Sequence, residues 1–533
     1  MPGFMITTVG CKVNQYESQA VSALLEALGL RPAAGGRRDG VDVVAVNTCC
    51  VTATACAKSR RAIRRAVRRH PDARVLILGC YAAADAQLLR RVARQAGARG
   101  SVHLAGHDDD VAACVRRCAA LPGGGKARPA GQPSAALDGA TAPSASSEKP
   151  SSGGPSGVVT PAPTPAGLSR NDELMSATIV RSPEQARAPC LNSTYIRPHG
   201  GGRVKGNLGT AGLGAIESFA GRQRAFVKVQ DGCDRFCTYC IVPHLRRRVW
   251  SREAGEVVAE AAALAAAGHG EVVLCGISLG AYGQPTTDQA GWTAGAALPG
   301  LLRRVAAVAG LRRVRLSSLH PADVTDELLA AVADCPNVAP HLHLPLQSGS
   351  ERILRRMNRP YAPADFLRAV ERLRRVVDRP AVTTDVIVGF PGEGEQDFAE
   401  TLELAREVGF SRVHVFPFSP RRGTPAWKWR AEAPPRDVVT ARCRRLAELA
   451  GESAAAFRRG FLGRTVEVLV EMPNRATPPG RARGLTGRYV EVTFAPAGGE
   501  SGDLLGQVVP VRVTGLSETG LTGQVADGGA ARR

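Results

Sequence analysis

Residues 224–248 read RAFVKVQDGCDRFCTYCIVPHLRRR, and this segment carries the strongest structural signal in the chain. A strand-like segment leads into an Asp-Gly turn, which Cys233, Cys237 and Cys240 follow in C-x3-C-x2-C spacing. Three thiolates from so short a loop can cap one corner of an iron–sulfur cluster or fill three positions around zinc. Both readings leave one coordination position open.

The spacing alone does not decide between cluster and zinc. A structural zinc site needs a fourth protein ligand nearby, for which His244 and Cys275 are the available residues. A cluster with an open iron needs no fourth ligand, because a small molecule can chelate there. Three unrelated buried thiols would not be spaced so compactly.

Strands and helices alternate after this loop, as far as about residue 419. Strands are predicted at 272–274, 314–316, 341–344, 382–388 and 413–418, and helices at 254–267, 362–377 and 397–408. This βα repeat predicts a partial or complete barrel with its site at the carboxyl ends of the strands. His341 and His343 share one face of a strand, where barrel packing or a hydrogen bond to cofactor or substrate is favoured over metal ligation.

Before the loop, a second alternation predicts a small parallel α/β domain. Its strands are expected at 5–9, 41–46 and 74–78, and its helices at 16–30 and 59–69. Cys11, Cys49 and Cys80 stand at the strand ends, which converge at one edge of a parallel sheet. They form a second possible metal site or simply fill the core. Cys50 and Cys56 compete for ligation.

The remaining segments complete an α/β multidomain organisation. Beyond a helix at 435–458, period-two alternation at 465–470, 489–494 and 508–513 predicts a small antiparallel β-barrel. Gly, Pro, Ser, Ala and Thr dominate the region before the cysteine loop, so we expect a disordered insertion or linker there, with a docking segment as the alternative. The predicted divisions are 1–118, 119–222, 223–458, 459–525 and a tail, 526–533.

Composition limits the cellular setting and the partners. Lys and Arg number 69 against 48 Asp and Glu, giving a net charge of +21 that favours a polyanionic partner. No apolar run approaches the ~20 residues of a membrane span, and the start lacks signal-peptide features. We therefore expect a cytoplasmic protein without a membrane partner. In that reducing compartment, 14 cysteines indicate metal or redox chemistry more than disulfides.

The segment KSRRAIRRAVRR at 58–69 predicts a helix with one cationic face. At 100° per residue around the helix axis, the apolar face carries Ala62, Ile63, Ala66 and Val67, and the opposite face is arginine. Like charges at i,i+4 repel, so this stripe favours phosphate binding over an ordinary solvated face. The predicted RNA-binding residues are Lys58, Arg60, Arg61, Arg64, Arg65 and Arg68, with Arg69 on the same face.

The cysteine loop resembles that of radical S-adenosylmethionine (SAM) enzymes, and further motifs resemble methylthiotransferases. They are TVGCKVNQYES at 8–18, VNTCCVT at 46–52, GCY at 79–81, HLHLPLQSGSERILRRMNR at 341–359, DVIVGFPGE at 385–393 and PFSPRRGTPA at 417–426. The likeness runs from about Met5 to Trp427, and the barrel after Gly463 resembles that family's RNA-binding TRAM domain. The insertion and the Cys49-Cys50 pair, where Cys-Thr is usual, depart from the pattern.

The resemblance implies a radical SAM partial barrel with two [4Fe–4S] clusters and SAM. Cys233, Cys237 and Cys240 would hold the cluster whose open iron binds SAM and supplies the electron that yields a 5′-deoxyadenosyl radical. Cys11, Cys49 and Cys80 would hold the cluster that delivers sulfur. SAM would serve both as methyl donor and as oxidant. Predicted cofactor-binding residues are Tyr239, Gly276, Gly389 and Glu393, with ordinary βα turns as the alternative for the glycines.

Within the family, TVGCKVNQYES together with KSRRAIRR resembles the branch that acts on N6-threonylcarbamoyladenosine beside the tRNA anticodon. This implies tRNA and an electron donor such as flavodoxin or ferredoxin as partners, and a monomer is expected. The product would carry a methylthio group at C2 of adenosine 37. One alternative is methylthiolation of a ribosomal-protein aspartate. The other is a non-catalytic iron–sulfur protein that binds RNA.

Overall fold

A computed structural model describes residues 1–33, 40–120, 213, 216–219, 221–284, 298–496 and 504–526. Most of the predicted insertion, 119–222, and residues 527–533 of the predicted tail lie outside them. At the insertion's end, Ile216 and Phe219 are buried, and Phe219 packs edge-to-face on Phe226 at 5.5 Å between ring centroids. The central domain therefore begins several residues before the predicted boundary.

The amino-terminal domain is a parallel sheet with helices around it. Its strands lie in the order β2-β1-β3-β4-β5 and span Gly3–Thr8 (β1), Arg31–Pro32 (β2), Val43–Thr48 (β3), Arg74–Gly79 (β4) and Val102–Ala105 (β5). Its helices span Lys12–Ala27 (α1), Ala53–Arg69 (α2), Cys80–Ala84 (α3), Ala86–Gln95 (α4) and Val111–Ala119 (α5). The central strand β3 is buried along its whole length, as expected for a strand covered on both faces.

The central domain is a partial (βα) barrel made of two parallel sheets. The first sheet contains Arg224–Lys228 (β6), Glu271–Cys275 (β9) and Arg313–Leu316 (β10); a short hairpin pairs Gln230–Asp231 (β7) with Trp250–Ser251 (β8). The second contains His341–His343 (β11), Ala381–Val388 (β12) and Arg412–Pro417 (β13). A bridge from Ser318, just after β10, to His343 joins the two sheets, and a bridge from Val314 to Val338 pairs β10 with the segment before β11.

Helices cover the outside of this partial barrel. They span Val242–Leu245 (α6), Ala254–Ala266 (α7), Leu298–Ala306 (α8), Asp326–Asp334 (α9), Glu351–Arg356 (α10), Pro363–Val376 (α11), Glu395–Val408 (α12), Pro425–Lys428 (α13) and Arg436–Arg459 (α14). None of the helices in the described ranges is long and apolar enough to cross a membrane. Together with the carboxyl-terminal barrel described next, the two α/β domains confirm the predicted multidomain fold.

The carboxyl-terminal domain is a closed barrel in the order β14-β15-β16-β18-β17. Its strands span Thr465–Glu471 (β14), Ala482–Thr486 (β15), Glu491–Ala495 (β16), Val508–Leu516 (β17) and Leu521–Val525 (β18). Four neighbouring pairs are antiparallel, but β16 and β18 are parallel. The antiparallel prediction fails at this pair because an odd number of strands cannot alternate in direction all round a closed barrel.

Buried charges attach this barrel to the amino ends of the central strands. Arg315 Nε lies 2.7 Å from Glu271 Oε1, and Arg315 Nη1 donates to the Gly487 carbonyl at 2.6 Å. Arg313 Nη1 donates to the Leu485 carbonyl at 3.1 Å. Tyr489 lies beneath the Arg315 guanidinium, 3.7 Å from its carbon to the ring centroid. The opposite, carboxyl ends of the central strands are therefore left for the cysteine loop.

Candidate metal centres

The loop carrying Cys233, Cys237 and Cys240 follows β7 and is shaped by the residues after α10. Thr238 donates through its N–H to the Met357 carbonyl at 3.0 Å and through its hydroxyl to the Arg356 carbonyl at 2.9 Å. The Asn358 amide donates to the Arg235 and Phe236 carbonyls, both at 3.2 Å. Phe236 has a φ of +44°, a strained value for this residue type. Hydrogen bonds to main-chain carbonyls on both segments thus fix the conformation of the loop.

The environment of these thiols suits metal ligation. Burial raises the pKa of Cys233, and it raises that of Cys240 to about 12. Such thiols stay protonated until a metal displaces the proton. Arg359 Nη1 lies 3.4 Å from Cys237 Sγ and offers a hydrogen bond and positive charge to a sulfur ligand.

Sulfur spacing favours a cluster over a single zinc ion. Tetrahedral zinc, bound at about 2.3 Å, holds its sulfurs about 3.8 Å apart. Within the described ranges, the group with three metal-ligating atoms all within 4.8 Å of one another is His343, Asp385 and His414, and no cysteine belongs to such a group. His244, the nearby candidate for a zinc ligand, instead stacks edge-to-face on Phe236 at 5.7 Å. The loop is therefore wider than a single-ion site.

Cys11, Cys49 and Cys80 come together at the carboxyl ends of three neighbouring strands. They directly follow or lie close beyond β1, β3 and β4, which pair in that order. Burial, together with the charges of Cys11 and Cys49, raises the pKa of Cys80 to about 12. Ser59 of α2 fixes the main chain of Cys49, accepting from its N–H at 3.0 Å and donating to its carbonyl at 2.9 Å.

Two polar residues that the sequence reasoning missed contact these sulfurs. Cys11 Sγ donates to Asn14 Oδ1 at 3.2 Å, and Asn14 Nδ2 donates to Asn47 Oδ1 at 2.9 Å. His107 Nε2 lies 3.3 Å from Cys80 Sγ. Asn14 belongs to the first motif, so its motif position was a usable signal. His107 follows β5, which pairs with β4, but it belongs to none of the motifs and gave no signal in the sequence.

The competing cysteines lie in the apolar core. Cys50 is fully buried, and burial raises its pKa strongly. Cys56 Sγ donates weakly to the Cys50 carbonyl at 3.9 Å. Both pack with Ile63 and Val67 beneath the sheet. This environment suits a structural role, and ligation by Cys49 remains the prediction.

Arg246 links the two cysteine groups through a buried charge network. It is 2% exposed, and its Nη1 lies 2.7 Å from Asp231 Oδ2 and 3.0 Å from Glu17 Oε1. Lys228 Nζ lies 3.1 Å from Glu17 Oε1. Burial alone would raise the pKa of Glu17, but Arg246 and Lys228 hold it at about 2. Arg246 also lowers the pKa of Cys80 by charge and hydrogen bonding.

One atom of Arg246 supports the fit of a cluster. Its buried Nε has no hydrogen-bond partner within the described residues. A buried N–H without a partner is costly, and cluster sulfurs accept hydrogen bonds from such donors. Together with the spacing of the cysteines, this donor fits an iron–sulfur group beside Cys80. The run HLRRR after the cysteine motif contains Arg246, but the sequence does not indicate which arginine turns inward.

The predicted cofactor-binding residues lie at the same end of the barrel. Tyr239 is within the cysteine loop, and burial raises its pKa well above the usual range. Gly276 follows β9, where a Cβ would lie 2.9 Å from Gln230 Oε1. Gly389 has a φ of +78° and donates to both Glu393 carboxylate oxygens at 3.1 Å.

Glu393 has partners within the chain. Its Oε1 lies 2.8 Å from Arg442 Nη1 of α14. Burial raises the pKa of Glu393 to about 7, against the lowering effect of Gly389 and Arg442. These contacts fix the turn after β12 on α14. Its cofactor contact stays a prediction, as do those of Tyr239, Gly276 and Gly389.

Helix α2 presents its arginines outward as the periodicity predicts, with one difference. Ile63, Ala66 and Val67 are buried in the domain core. A surface depression is lined by Arg61, Arg64, Arg65, Arg68 and Arg69. Arg60 turns aside instead and donates to the Tyr81 hydroxyl at 2.8 Å. Lys58 is exposed at the start of the same face.

Comparison with known proteins gives the class of this site. Residues 227–405 match the Radical SAM superfamily, and residues 3–98 match uncharacterized protein family UPF0004. A threonylcarbamoyladenosine tRNA methylthiotransferase MtaB of Chlamydia pneumoniae is 32% identical over 98% of each chain. The MtaB of Bacillus subtilis is 31% identical over 95% of this chain and 92% of its own. A tRNA-2-methylthio-N(6)-dimethylallyladenosine synthase of Thermobifida fusca is 34% identical over 88% of this chain and 77% of its own.

The chain belongs to the radical SAM methylthiotransferase family, among proteins of the MtaB type. It is therefore a radical SAM enzyme, with [4Fe–4S] clusters and SAM as cofactors. The open cysteine loop at 233–240, the second cysteine group and the unpartnered Arg246 donor fit two such clusters.

Proposed function

We propose that this protein methylthiolates C2 of N6-threonylcarbamoyladenosine at position 37 of tRNA. The observation that carries the proposal is the pair of cysteine groups that meet at Arg246, one after β7 and one at the ends of β1, β3 and β4. Methylthiolation needs both generation of a radical and delivery of sulfur. Two neighbouring clusters, each held by its own three cysteines, would supply these two functions.

The cysteines divide these tasks. Cys233, Cys237 and Cys240 are the proposed ligands of the SAM cluster, which when bound supplies the electron that cleaves SAM to a carbon radical. Arg359 offers positive charge to this group, and main-chain partners fix the loop. Cys11, Cys49 and Cys80 are the proposed ligands of the second cluster, with Asn14 and His107 orienting Cys11 and Cys80.

Substrate preference is inferred from relatives and charge. The MtaB relatives match over 92–98% of their length, whereas the dimethylallyladenosine synthase matches over 77%. Percentage identity alone does not separate these two activities, since all three values lie between 31% and 34%. The arginine face of α2 supports a tRNA partner, and we propose that the barrel in 459–525 also binds RNA. The proposed domain divisions are those given above, with the central domain beginning earlier.

Mass spectrometry of tRNA nucleosides tests this function. The strains compared are the parent, one lacking the protein, and one expressing Cys237→Ala. The expected result is loss of 2-methylthio-N6-threonylcarbamoyladenosine in both altered strains, with its unthiolated precursor accumulating. Accumulation of dimethylallyladenosine instead would show that this nucleoside, and not threonylcarbamoyladenosine, is the substrate. An unchanged profile would overturn the tRNA function and direct the search to protein substrates.

A further inference from the structure

The inner face of strands β11–β13 is polar and aromatic, and the proposed ligand clusters account for none of it. Residues 382, 384, 386 and 388 of β12 are buried on the outer, helix-covered face. The alternate residues Thr383, Asp385 and Ile387 therefore face inward, and the register pairs them with Arg412, His414 and Phe416. The result is a row of chemically diverse side chains inside the barrel.

Asp385 and His414 form a tight group with His343 of β11. His343 Nε2 lies 3.3 Å from Asp385 Oδ2, and the His343 and His414 ring centroids are 6.0 Å apart. Thr383 Oγ1 lies 2.9 Å from His343 Nδ1, so the opposite nitrogen is the one presented to Asp385. This arrangement provides hydrogen-bond donors and an acceptor close together.

Beside this group lie an aromatic platform and a cation. Phe416 is 42% exposed, and its ring centroid is 6.4 Å from that of His414, with the planes inclined by 31°. Such rings are surfaces on which a nucleobase stacks. Arg412 is exposed and makes no hydrogen bond or ion pair with a described residue. A guanidinium of this kind suits a carboxylate.

This face lies between the two cysteine groups. Immediately beyond β13, Ser419 Oγ accepts from the Ala53 N–H of α2 at 2.9 Å, close to Cys49 and Cys50. A few residues later, the Ala426 N–H donates to the Thr238 carbonyl in the other cysteine loop at 2.9 Å. A substrate on the inner face of β13 is therefore near both centres.

We propose that this face binds the target nucleoside, with the adenine on Phe416 and His414 and the carboxylate of its threonylcarbamoyl group paired with Arg412. This inference rests on the proposed function and extends it to substrate selection. Asp385 and His343 bond the urea N–H groups, carbonyl or hydroxyl of the same substituent. A dimethylallyl group has no charge and leaves Arg412 without a partner.

The charges around His414 favour an anion over a metal ion. A His-Asp-His group could in principle ligate a divalent cation. However, Arg412 and Lys12 place positive charge near the group. Burial and both cations lower the pKa of His414 against the raising effect of Asp385. Lys12 follows Cys11 and makes no hydrogen bond or ion pair with a described residue, so it provides a second partner for a carboxylate.

Binding to anticodon stem–loop RNA tests the inference without relying on turnover. Fluorescence anisotropy would compare RNAs that carry threonylcarbamoyladenosine or plain adenosine at position 37, with the full cluster-loaded chain. We expect Arg412→Gln to weaken binding of the modified RNA about ten-fold and to spare the unmodified RNA, since a charge-assisted pair is lost. Lys12→Gln should act in the same direction. Phe416→Ala should weaken both RNAs about equally, because stacking is shared.

Arg375→Gln, on the exposed side of α11, is the matched control and should change neither affinity. An unaltered preference in Arg412→Gln would overturn the inference. So would a stoichiometric zinc ion bound by the chain and lost in both His343→Ala and His414→Ala, since the group would then be a metal site. Nucleoside analysis of the unaltered enzyme distinguishes failure of this inference from failure of the proposed function. If the unaltered enzyme makes the methylthiolated product but Arg412→Gln still prefers the modified RNA, only the inference is rejected.

Discussion

The main-chain N–H of Cys233 donates a 3.2 Å hydrogen bond to the carbonyl of Arg246. The side chain of the same arginine lies against Cys80, whose pKa its charge lowers. One buried residue therefore contacts a member of each cysteine group. Arg246 thereby connects the two cysteine groups, through its main chain to Cys233 and through its side chain to Cys80.

Arg246→Gln should destabilise the protein and disturb both clusters. The substitution leaves the Glu17 and Asp231 carboxylates buried without their main counter-charge, a loss on the order of 3–5 kcal/mol. We expect a lower urea midpoint and altered electron paramagnetic resonance signals from both clusters. The neighbour Arg247 is exposed and, within the described residues, donates to the local His244 carbonyl, so Arg247→Gln is the control. Unchanged stability and spectra would show that Arg246 is dispensable at this junction.

Cys80→Ala should separate the two chemical tasks. Loss of a ligand of the second cluster should leave SAM cleavage to 5′-deoxyadenosine intact and abolish methylthiolation. Cys237→Ala should abolish both, because the SAM cluster itself is lost. Liquid chromatography of 5′-deoxyadenosine and of tRNA nucleosides measures the two products. Cys335→Ala, beyond the end of α9, should affect neither. Full formation of the methylthiolated product by Cys80→Ala would show that Cys80 is a core residue and not a cluster ligand.

Charge reversal at Arg64 and Arg65 should weaken tRNA binding in a salt-dependent way. Both arginines line the depression on α2 and have no ion pair within the described ranges. Each phosphate contact contributes roughly 0.9 to the slope of log affinity against log salt, so the slope should fall by about 2. Filter binding between low and moderate salt measures it. Arg436→Glu with Arg444→Glu, on exposed positions of α14, makes the same charge change elsewhere. If both double variants show the same slope of log affinity against log salt, the arginine face of α2 is solvated and does not contact tRNA.

Local patterns predicted most of the fold, and long-range contacts were the part they missed. The apolar runs fixed β3, β4 and β12 closely, because buried parallel strands are continuous in sequence. Strands β15 and β18 were missed because ARGLT and LTGQV each contain glycine and little apolar alternation.

The candidate site shows the same division. The cysteines were found because motif spacing is local and strand ends converge at one edge. Arg246 pairs with Glu17 across 229 positions of sequence, and His107 reaches Cys80 from a loop with no motif. Arg60 also departed from its predicted face, because Tyr81 from another element supplies a hydrogen-bond acceptor. Side-chain partners of this kind become visible only in three dimensions.

Because of Glu271, the free energy of unfolding should fall as the pH drops from about 4.5 towards 2. Burial alone would raise its pKa, but Arg315 and Arg313 lower it from 4.5 to about 2. Because the folded state binds this proton less tightly than the unfolded state, the carboxylate stabilises the fold above pH about 4.5. That contribution is lost progressively as the pH falls through about 2. Both arginines also bond carbonyls of the carboxyl-terminal barrel, so the loss should loosen barrel docking.

Comparison with Glu271→Gln isolates this effect from other carboxylates. The variant should be less stable at pH 7 by roughly 3 kcal/mol, since two buried guanidiniums lose their shared counter-charge. The stability difference between parent and variant should shrink as pH falls from 5 towards 3, measured by urea unfolding at each pH. Glu448→Gln, at an exposed position of α14, should follow the parent throughout. A constant difference across this range would mean that Glu271 keeps its ordinary pKa and that the arginines hold the barrel through its carbonyls alone.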